Sequence, residues 1–252
     1  MKLPALFIGH GSPMNAIEDN EFSRRWRQLG QTLPKPKAIL CVSAHWETSG
    51  VFVTAHPNPE TIHDFHGFPQ ALFDVRYPAP GDPVLAQRVA TMLDARLDVQ
   101  RGLDHGVWSV LRPMYPEAGI PVVQLSLAIR ETGRFHYELA RKLAPLRDEG
   151  VLILGSGNMV HNLRVMNFGA DAGYAWAERI NETMKQKIES RDHAALMDWE
   201  KLDSEIRLAI PTAEHYLPLL YVLAALGEAE PPIIFNDRVV MGSIAMTSLM
   251  PP

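Results

Sequence analysis

Five short β-prone runs constrain this chain most: Ala5-Leu6-Phe7-Ile8, Ala38-Ile39-Leu40-Cys41-Val42, Val51-Phe52-Val53, Pro121-Val122-Val123-Gln124-Leu125 and Val151-Leu152-Ile153-Leu154. Several are apolar throughout. A strand with one wet face alternates polar and apolar side chains, so an uninterrupted apolar strand needs cover on both faces. The intervening stretches supply that cover. Phe22, Trp26 and Leu29 recur at helical spacing, and Asp82-Pro83 offers a cap followed by a first-turn proline, with Leu85, Val89, Met92 and Leu93 on the inner face. Further helices are predicted over Phe135 to Leu146, Ala172 to Lys187, and Tyr216 to Leu226, the last ended by Gly227. The alternation predicts an α/β fold with a central, mostly parallel or mixed sheet and helices on both faces.

Two segments depart from this rhythm. "PPIIFNDRVVMGSIAMTSL" (231–249) predicts two strands around an Asn236-Asp237 turn, adding antiparallel pairing at the end of the chain. Residues 54–81 are dense in proline, histidine and aromatics with weak helix and strand signals, which predicts a binding loop or lid. No repeat or composition break divides the chain, so residues 1–252 are expected to form a single domain.

Composition narrows the partners. A net charge of -5 without a dense Lys/Arg run argues against a nucleic-acid partner. No stretch approaches the ~20 apolar residues of a membrane span, and no basic-then-apolar leader opens the sequence. Cys41, the single cysteine, sits in an apolar run as a small buried hydrophobe. The expectation is a cytoplasmic protein; nothing in the pattern, five tryptophans included, indicates an oligomer.

Ligands of open α/β sheets gather beyond the carboxyl ends of the strands. Histidines are predicted there: His10 after the first strand, His45 after the second, His161 in "GSGNMVHN" (155–162), and His215 just before the last helix. Imidazole suits Zn(II) and Fe(II). Gly9 and Gly11 would let backbone approach closely or turn sharply around His10. A single histidine after a strand is commonly just a hydrogen-bonded residue, and neither HExxH nor paired CxxC is present. The residues alone therefore leave a metal centre and ordinary histidines both open. The "GSGN" stretch lacks the ending of a phosphate loop.

Other groups are candidates for supporting roles. His105 in "GLDHGVW" is read between glycine-flanked turns, as an acid/base group or a turn residue capping a carbonyl. His63 and His66 are placed in the long loop, while His56, His136 and His193 are read as surface or helix residues. Asp64, Asp104 and Glu214 are candidates to fix a ligand's tautomer, and Glu47 or Glu214 to replace a neighbouring histidine as ligand. Trp46, Phe65, Phe68 and Trp108 are candidates to line an aromatic pocket or simply to pack in the core. Arg76, Arg112 and Arg130 are the cations offered to a substrate carboxylate.

Taken in order, "GHGSPM" (9–14), "SAHW" (43–46), "NPETIHDFHGFP" (58–69), "GLDHGVW" (102–108) and "GSGNMVHNL" (155–163) closely resemble the DOPA 4,5-dioxygenase branch of the class III extradiol ring-cleavage dioxygenases, the LigB-like superfamily. The resemblance spans essentially the whole chain and implies a single α/β domain with a mixed sheet. It implies one divalent metal per chain on His10, His45 and His215, with His161 beside it as acid/base and as a contact to the ion in a zinc-loaded state. His105 would bind or protonate the substrate. Many relatives in the wider superfamily hold iron through two histidines and a carboxylate, whereas the matching position here is His215. The implied reaction is O2-dependent extradiol cleavage of a small aromatic ring-diol such as 3,4-dihydroxyphenylalanine, with Fe(II) for ring opening and Zn(II) as an alternative occupant. The competing readings are a zinc-dependent hydrolase and a non-enzymatic interaction protein on the same fold.

Overall fold

In the computed structural model, which describes residues 2–252, ten strands form: β1 (Ala5–Gly9), β2 (Ala38–Thr48), β3 (Phe52–Thr54), β4 (Arg96–Asp98), β5 (Val122–Ala128), β6 (Val151–Gly157), β7 (Ile233–Phe235), β8 (Val239–Val240), β9 (Ile244–Ala245) and β10 (Ser248–Met250). Eight of them make one mixed sheet in the order β4-β3-β5-β2-β6-β1-β10-β7. Its centre, β5-β2-β6-β1, is parallel throughout, and β10 and β7 pair antiparallel at one edge.

The helices are α1 (Glu21–Thr32), α2 (Gln70–Phe73), α3 (Pro83–Leu93), α4 (His105–Met114), α5 (Gly133–Arg141), α6 (Ala175–Glu189), α7 (His193–Met197), α8 (Ile206–Ala209) and α9 (Leu217–Leu226). They cover both faces. Along β1, Ala5 and Phe7 join the core shared with α3, α5, α6 and α9, while Leu6 and Ile8 join the core shared with α1 and α4. The same split divides Leu40 and Val42 from Ile39 and Cys41 on β2. Unbroken apolar strands thus serve two cores, as alternate side chains must on a pleated strand. No helix among the described residues is long and apolar enough to cross a membrane.

Local chemistry explains most boundaries. The Asn20 side chain takes the N–H groups of Phe22 and Ser23 at the start of α1, and Asp82 takes those of Val84 and Leu85 at the start of α3. Gly11 turns the chain at φ 57°, and Gly9 faces the Met246 backbone so closely that a Cβ would lie 2.6 Å from it. Both reasons for glycine beside His10 therefore hold, although the close approach is made by the C-terminal segment.

Four sequence expectations need correction. The helix expected over 135–146 ends at Arg141 and continues as a separate 3-10 turn, Ala144–Arg147, because Pro145 has no N–H to donate. The strands flanking Asn236-Asp237 do not pair with each other: β7 pairs with β10, and β8 with β9. His105 opens a ten-residue helix and does not sit between turns. His136 and His193 lie on helices, as one reading had them, but are buried: each ring nitrogen Nδ1 meets a tyrosine hydroxyl, of Tyr221 and Tyr137 respectively.

Candidate metal centre

The parallel strands β1, β6 and β2 end at the same edge of the sheet. Their ladders run to Gly9–Gly157 and Ser43–Ser156. His10 follows β1 directly, its N–H donating to the Gly157 carbonyl at 3.0 Å. His45 is not past the end of β2 but inside it, where pairing with β5 slips between Val42 and Glu47 after β6 has been left behind. That irregularity brings an interior strand residue to the site. His161 lies four residues beyond β6, its N–H on the Ala209 carbonyl (2.9 Å), and His215 stands two residues before α9.

The ring centroids of His10, His45 and His215 form a nearly equilateral triangle, with sides of 5.0 Å (His10–His45), 5.0 Å (His45–His215) and 5.4 Å (His10–His215). Three imidazoles bound tetrahedrally at nitrogen-to-metal distances of about 2.0–2.1 Å would have centroids about 5 Å apart. The donor nitrogens of His10, His45 and His105 also fall within 4.8 Å of one another, as do donor atoms of His161, Glu214 and His215. Ring spacing separates both groups from the first trio. The His45–His105 centroids are 3.8 Å apart and the His161–His215 rings stack at 3.5 Å with 7° between planes. Neither pair leaves room for two rings to meet one ion at right angles or wider. Only the 10–45–215 trio is evenly spread.

Hydrogen bonding sets the tautomers. Ser156 Oγ donates to the Gly106 carbonyl at 2.5 Å, so it accepts from His10 Nδ1 at 2.9 Å and leaves His10 Nε2 with a lone pair. That Nε2 faces His45 Nε2 across 3.2 Å, a gap suited to one proton or one cation. Glu214 Oε1 lies 3.0 Å from His215 Nδ1, while His215 Nε2 is buried with no hydrogen-bond partner. A buried, unpartnered acceptor beside two convergent imidazoles is what a cation would satisfy. The donor set fits the divalent metal expected from the sequence. Burial first, and the neighbouring histidines second, push the His10, His45 and His215 rings well below the ordinary imidazole range, so they are neutral and able to ligate at pH 7. Burial, with His105 adding to it, lowers His161 to about 4.

A layer of polar groups supports these rings. Asp104 is fully buried and accepts hydrogen bonds from Ser43 Oγ (2.7 Å), Arg101 (3.2 Å) and the Gln124 amide; burial raises its carboxyl. Arg101 also donates to the His45 carbonyl at 3.1 Å. Asp64 reaches in from the long loop: its Oδ1 is 2.9 Å from both the backbone nitrogen and Nδ1 of His105, and its Oδ2 is 3.8 Å from His45 Nδ1. Burial alone would raise the Asp64 carboxyl, but the His105 contacts outweigh it and hold it at about 2. Sequence reasoning named these carboxylates without finding which ring each serves, and missed Ser43, Ser156 and Arg101. Their only sequence signal is proximity to the strand ends.

The aromatic candidates divide. Phe65 packs 5.5 Å from the His105 ring and 5.9 Å from Trp108, with Phe68 behind it at 5.3 Å. Trp46 lies instead under the Arg101 guanidinium at 5.5 Å. Among the arginines, Arg76 donates to the Phe73 and Val75 carbonyls and Arg112 to the Ala16 carbonyl, while Arg130 is exposed.

Comparison with known proteins places the whole chain in a family. Residues 4–245 match the family described as the catalytic LigB subunit of aromatic ring-opening dioxygenase. The chain is 50% identical over 257 residues to the 4,5-DOPA dioxygenase extradiol of Escherichia coli strain K12, covering 98% of this chain and 94% of that protein. It is 40% identical over 232 residues to the 4,5-DOPA dioxygenase extradiol of Beta vulgaris, covering 88% and 86%. The crystal structure of an uncharacterized protein from Escherichia coli K12 superposes with a TM-score of 0.87 at 44% identity, over 100% of both chains.

Proposed function

The chain belongs to the LigB family of aromatic ring-opening dioxygenases, and from that premise we propose that it is an Fe(II)-dependent extradiol enzyme cleaving a catechol, 3,4-dihydroxyphenylalanine or a similar ring-diol, with O2. The observation that carries this reading is the even triangle of His10, His45 and His215, each ring neutral and two with the outer nitrogen committed to a partner. When bound there, Fe(II) would supply the redox centre that lets a singlet diol react with triplet O2, and Zn(II) would fit the same nitrogens without that capacity.

The protein's own groups have defined tasks. Phe65, with Trp108 beside it, offers a flat apolar wall to the aromatic ring next to His105. His161 is given the proton-transfer role in preference to a fourth ligand position, because its ring is stacked on His215 and not spread around the centre. Neutral at pH 7, it is able to accept a diol proton and later return it. His105 is given the second contact to the substrate hydroxyls. The carboxyl-rich layer keeps these rings oriented while the diol binds.

The test is anaerobic Fe(II) loading followed by O2 exposure with a panel of diols including DOPA, catechol, protocatechuate and caffeate. The expected result is O2 uptake matched to a yellow ring-opened product, in proportion to bound iron. Full turnover of an ester or amide under strict anaerobiosis, or no cleavage of any diol by stoichiometrically loaded protein, would overturn the reading.

A further inference from the structure

The 54–81 loop contributes one carboxylate to the histidine cluster, and the way it does so has no counterpart among the other acids of the site. Helix α4 begins at His105, and its preceding residue Asp104 stands where a capping side chain belongs. Asp104 does not cap: its carboxylate is turned to Ser43, Arg101 and Gln124. The free N–H at the start of the helix is taken by Asp64, forty-one residues earlier, at 2.9 Å. The same oxygen lies 2.9 Å from His105 Nδ1. One oxygen cannot lie on both N–H axes: the backbone N–H holds the aligned bond, and Nδ1, close to the same carboxylate, makes no directed hydrogen bond and only an electrostatic contact. A nitrogen lone pair at that distance from a carboxylate would be repelled, so the Nδ1 position carries the proton.

The loop delivers Asp64 from a fixed frame. Thr61 pairs with Leu103 as a parallel bridge, Ile62 N–H donates to the Leu103 carbonyl (2.8 Å), and Trp108 Nε1 donates to the Ile62 carbonyl (2.8 Å). Asp64 is thus three residues beyond a bridge and two beyond Ile62, whose N–H and carbonyl are both bonded, while Phe65, the next residue, packs against His105.

We infer that Asp64 is a positioning residue that locks His105 in its Nδ1–H tautomer, leaving Nε2 as the ring's only acceptor for a substrate hydroxyl proton, and so ties seating of the 54–69 segment to competence of the site. The claim rests on the reading of His105 as a substrate-facing group, but its structural half, the tautomer, stands apart from any reaction. Asp64 itself touches no substrate. Its carboxylate also faces His45 Nδ1 at 3.8 Å, an electrostatic contact and not a hydrogen bond.

The experiment uses the full chain with 15N-labelled histidine, as purified and after Zn(II) addition, in wild type, Asp64→Asn and Asp64→Ser. Asp64→Asn keeps an uncharged oxygen able to accept from both the His105 backbone N–H and Nδ1–H, whereas Asp64→Ser, one bond shorter, withdraws the oxygen from Nδ1. Long-range 1H–15N correlation spectra of wild type and Asp64→Asn should show His105 protonated at Nδ1, and Asp64→Ser should show a mixture of tautomers, both variants with native-like unfolding midpoints. With Fe(II) and a diol, kcat of Asp64→Ser should fall about 10–100-fold with KM little changed, as for the loss of a supporting partner, while Asp64→Asn retains most of it. An unchanged Nδ1–H signature in Asp64→Ser would overturn the inference, as would a loss of activity that follows only a loss of stability. If Zn(II) fails to bind wild type while the tautomer still shifts in Asp64→Ser, the metal reading fails and the positioning claim survives.

Discussion

At the scale of single residues, the cluster is governed by what each imidazole does with its second nitrogen. His10 gives Nδ1 to Ser156, His215 turns it to Glu214, and His105 turns it to Asp64. In each case a partner outside the cluster selects the tautomer, and an oriented ligand needs no reorganisation when a cation arrives. His161 is different, since its ring rests flat on His215 and its backbone, not its side chain, is anchored. His161→Ala should accordingly leave metal stoichiometry near that of wild type while lowering kcat by about 10²–10⁴-fold, the usual worth of a positioned acid/base. Metal analysis alongside single-turnover cleavage checks this. Full activity with stoichiometric iron would remove the proton-transfer role, and loss of the metal would make His161 a ligand.

At the scale of elements, the site depends on how closely α4 docks against β2. Gly106 is the contact point: a Cβ there would lie 2.8 Å from His45 Cδ2 and press on Ser43 Oγ, and its carbonyl is the acceptor that fixes Ser156. Gly106→Ala should therefore cost about 1–3 kcal/mol by overpacking and weaken Zn(II) binding about tenfold or more by releasing the His10 tautomer. Urea unfolding and metal titration measure both, with exposed Gly169→Ala as a control expected to be neutral in each. The same element shows where sequence reading stops. β1, β2 and β6 are legible because burial on two faces is written as unbroken apolar runs, and α3 because Asp82 and Pro83 mark its start. α4 is not, since the glycines of "GLDHGVW" read as turn residues, and it is packing of Val107, Trp108 and Leu111 into the core shared with α1 that makes a helix there worthwhile. Pairing of β7 with β10 was hidden because partner choice between short strands is non-local. For the site, the positions of His10, His161 and His215 near strand or helix ends could be read in advance. The irregularity that brings His45 to the site from within β2, and the arrival of Asp64 from a loop, depend on contacts no local pattern encodes.

At the scale of the whole molecule, the helical layer of α5 and α9 over the sheet carries a polar contact that makes stability depend on pH. The His136 ring is buried, with Nε2 3.3 Å from the Ala128 carbonyl and Nδ1 2.9 Å from the Tyr221 hydroxyl. A carbonyl only accepts, so Nε2 carries the proton and Nδ1 accepts from Tyr221. Burial lowers this histidine to about 4, and the Ala128 carbonyl only partly offsets it. In the unfolded chain the ring titrates near its ordinary value of about 6.5. Between those values the unfolded state binds the proton and the folded state does not, so stability rises with pH across this window. His136 should therefore cost nothing above about pH 6.5 and destabilise the fold progressively as pH falls toward 4, by on the order of 3 kcal/mol at the limit. His136→Gln keeps a donor for Ala128 and an acceptor for Tyr221 but cannot be protonated. Its urea-unfolding free energy, measured from pH 7.5 to 4, should decline less steeply than that of wild type, with the divergence beginning near pH 6.5. The histidines of the metal centre are common to both proteins and cancel in the difference, so parallel curves would show that His136 protonates as readily in the fold as outside it.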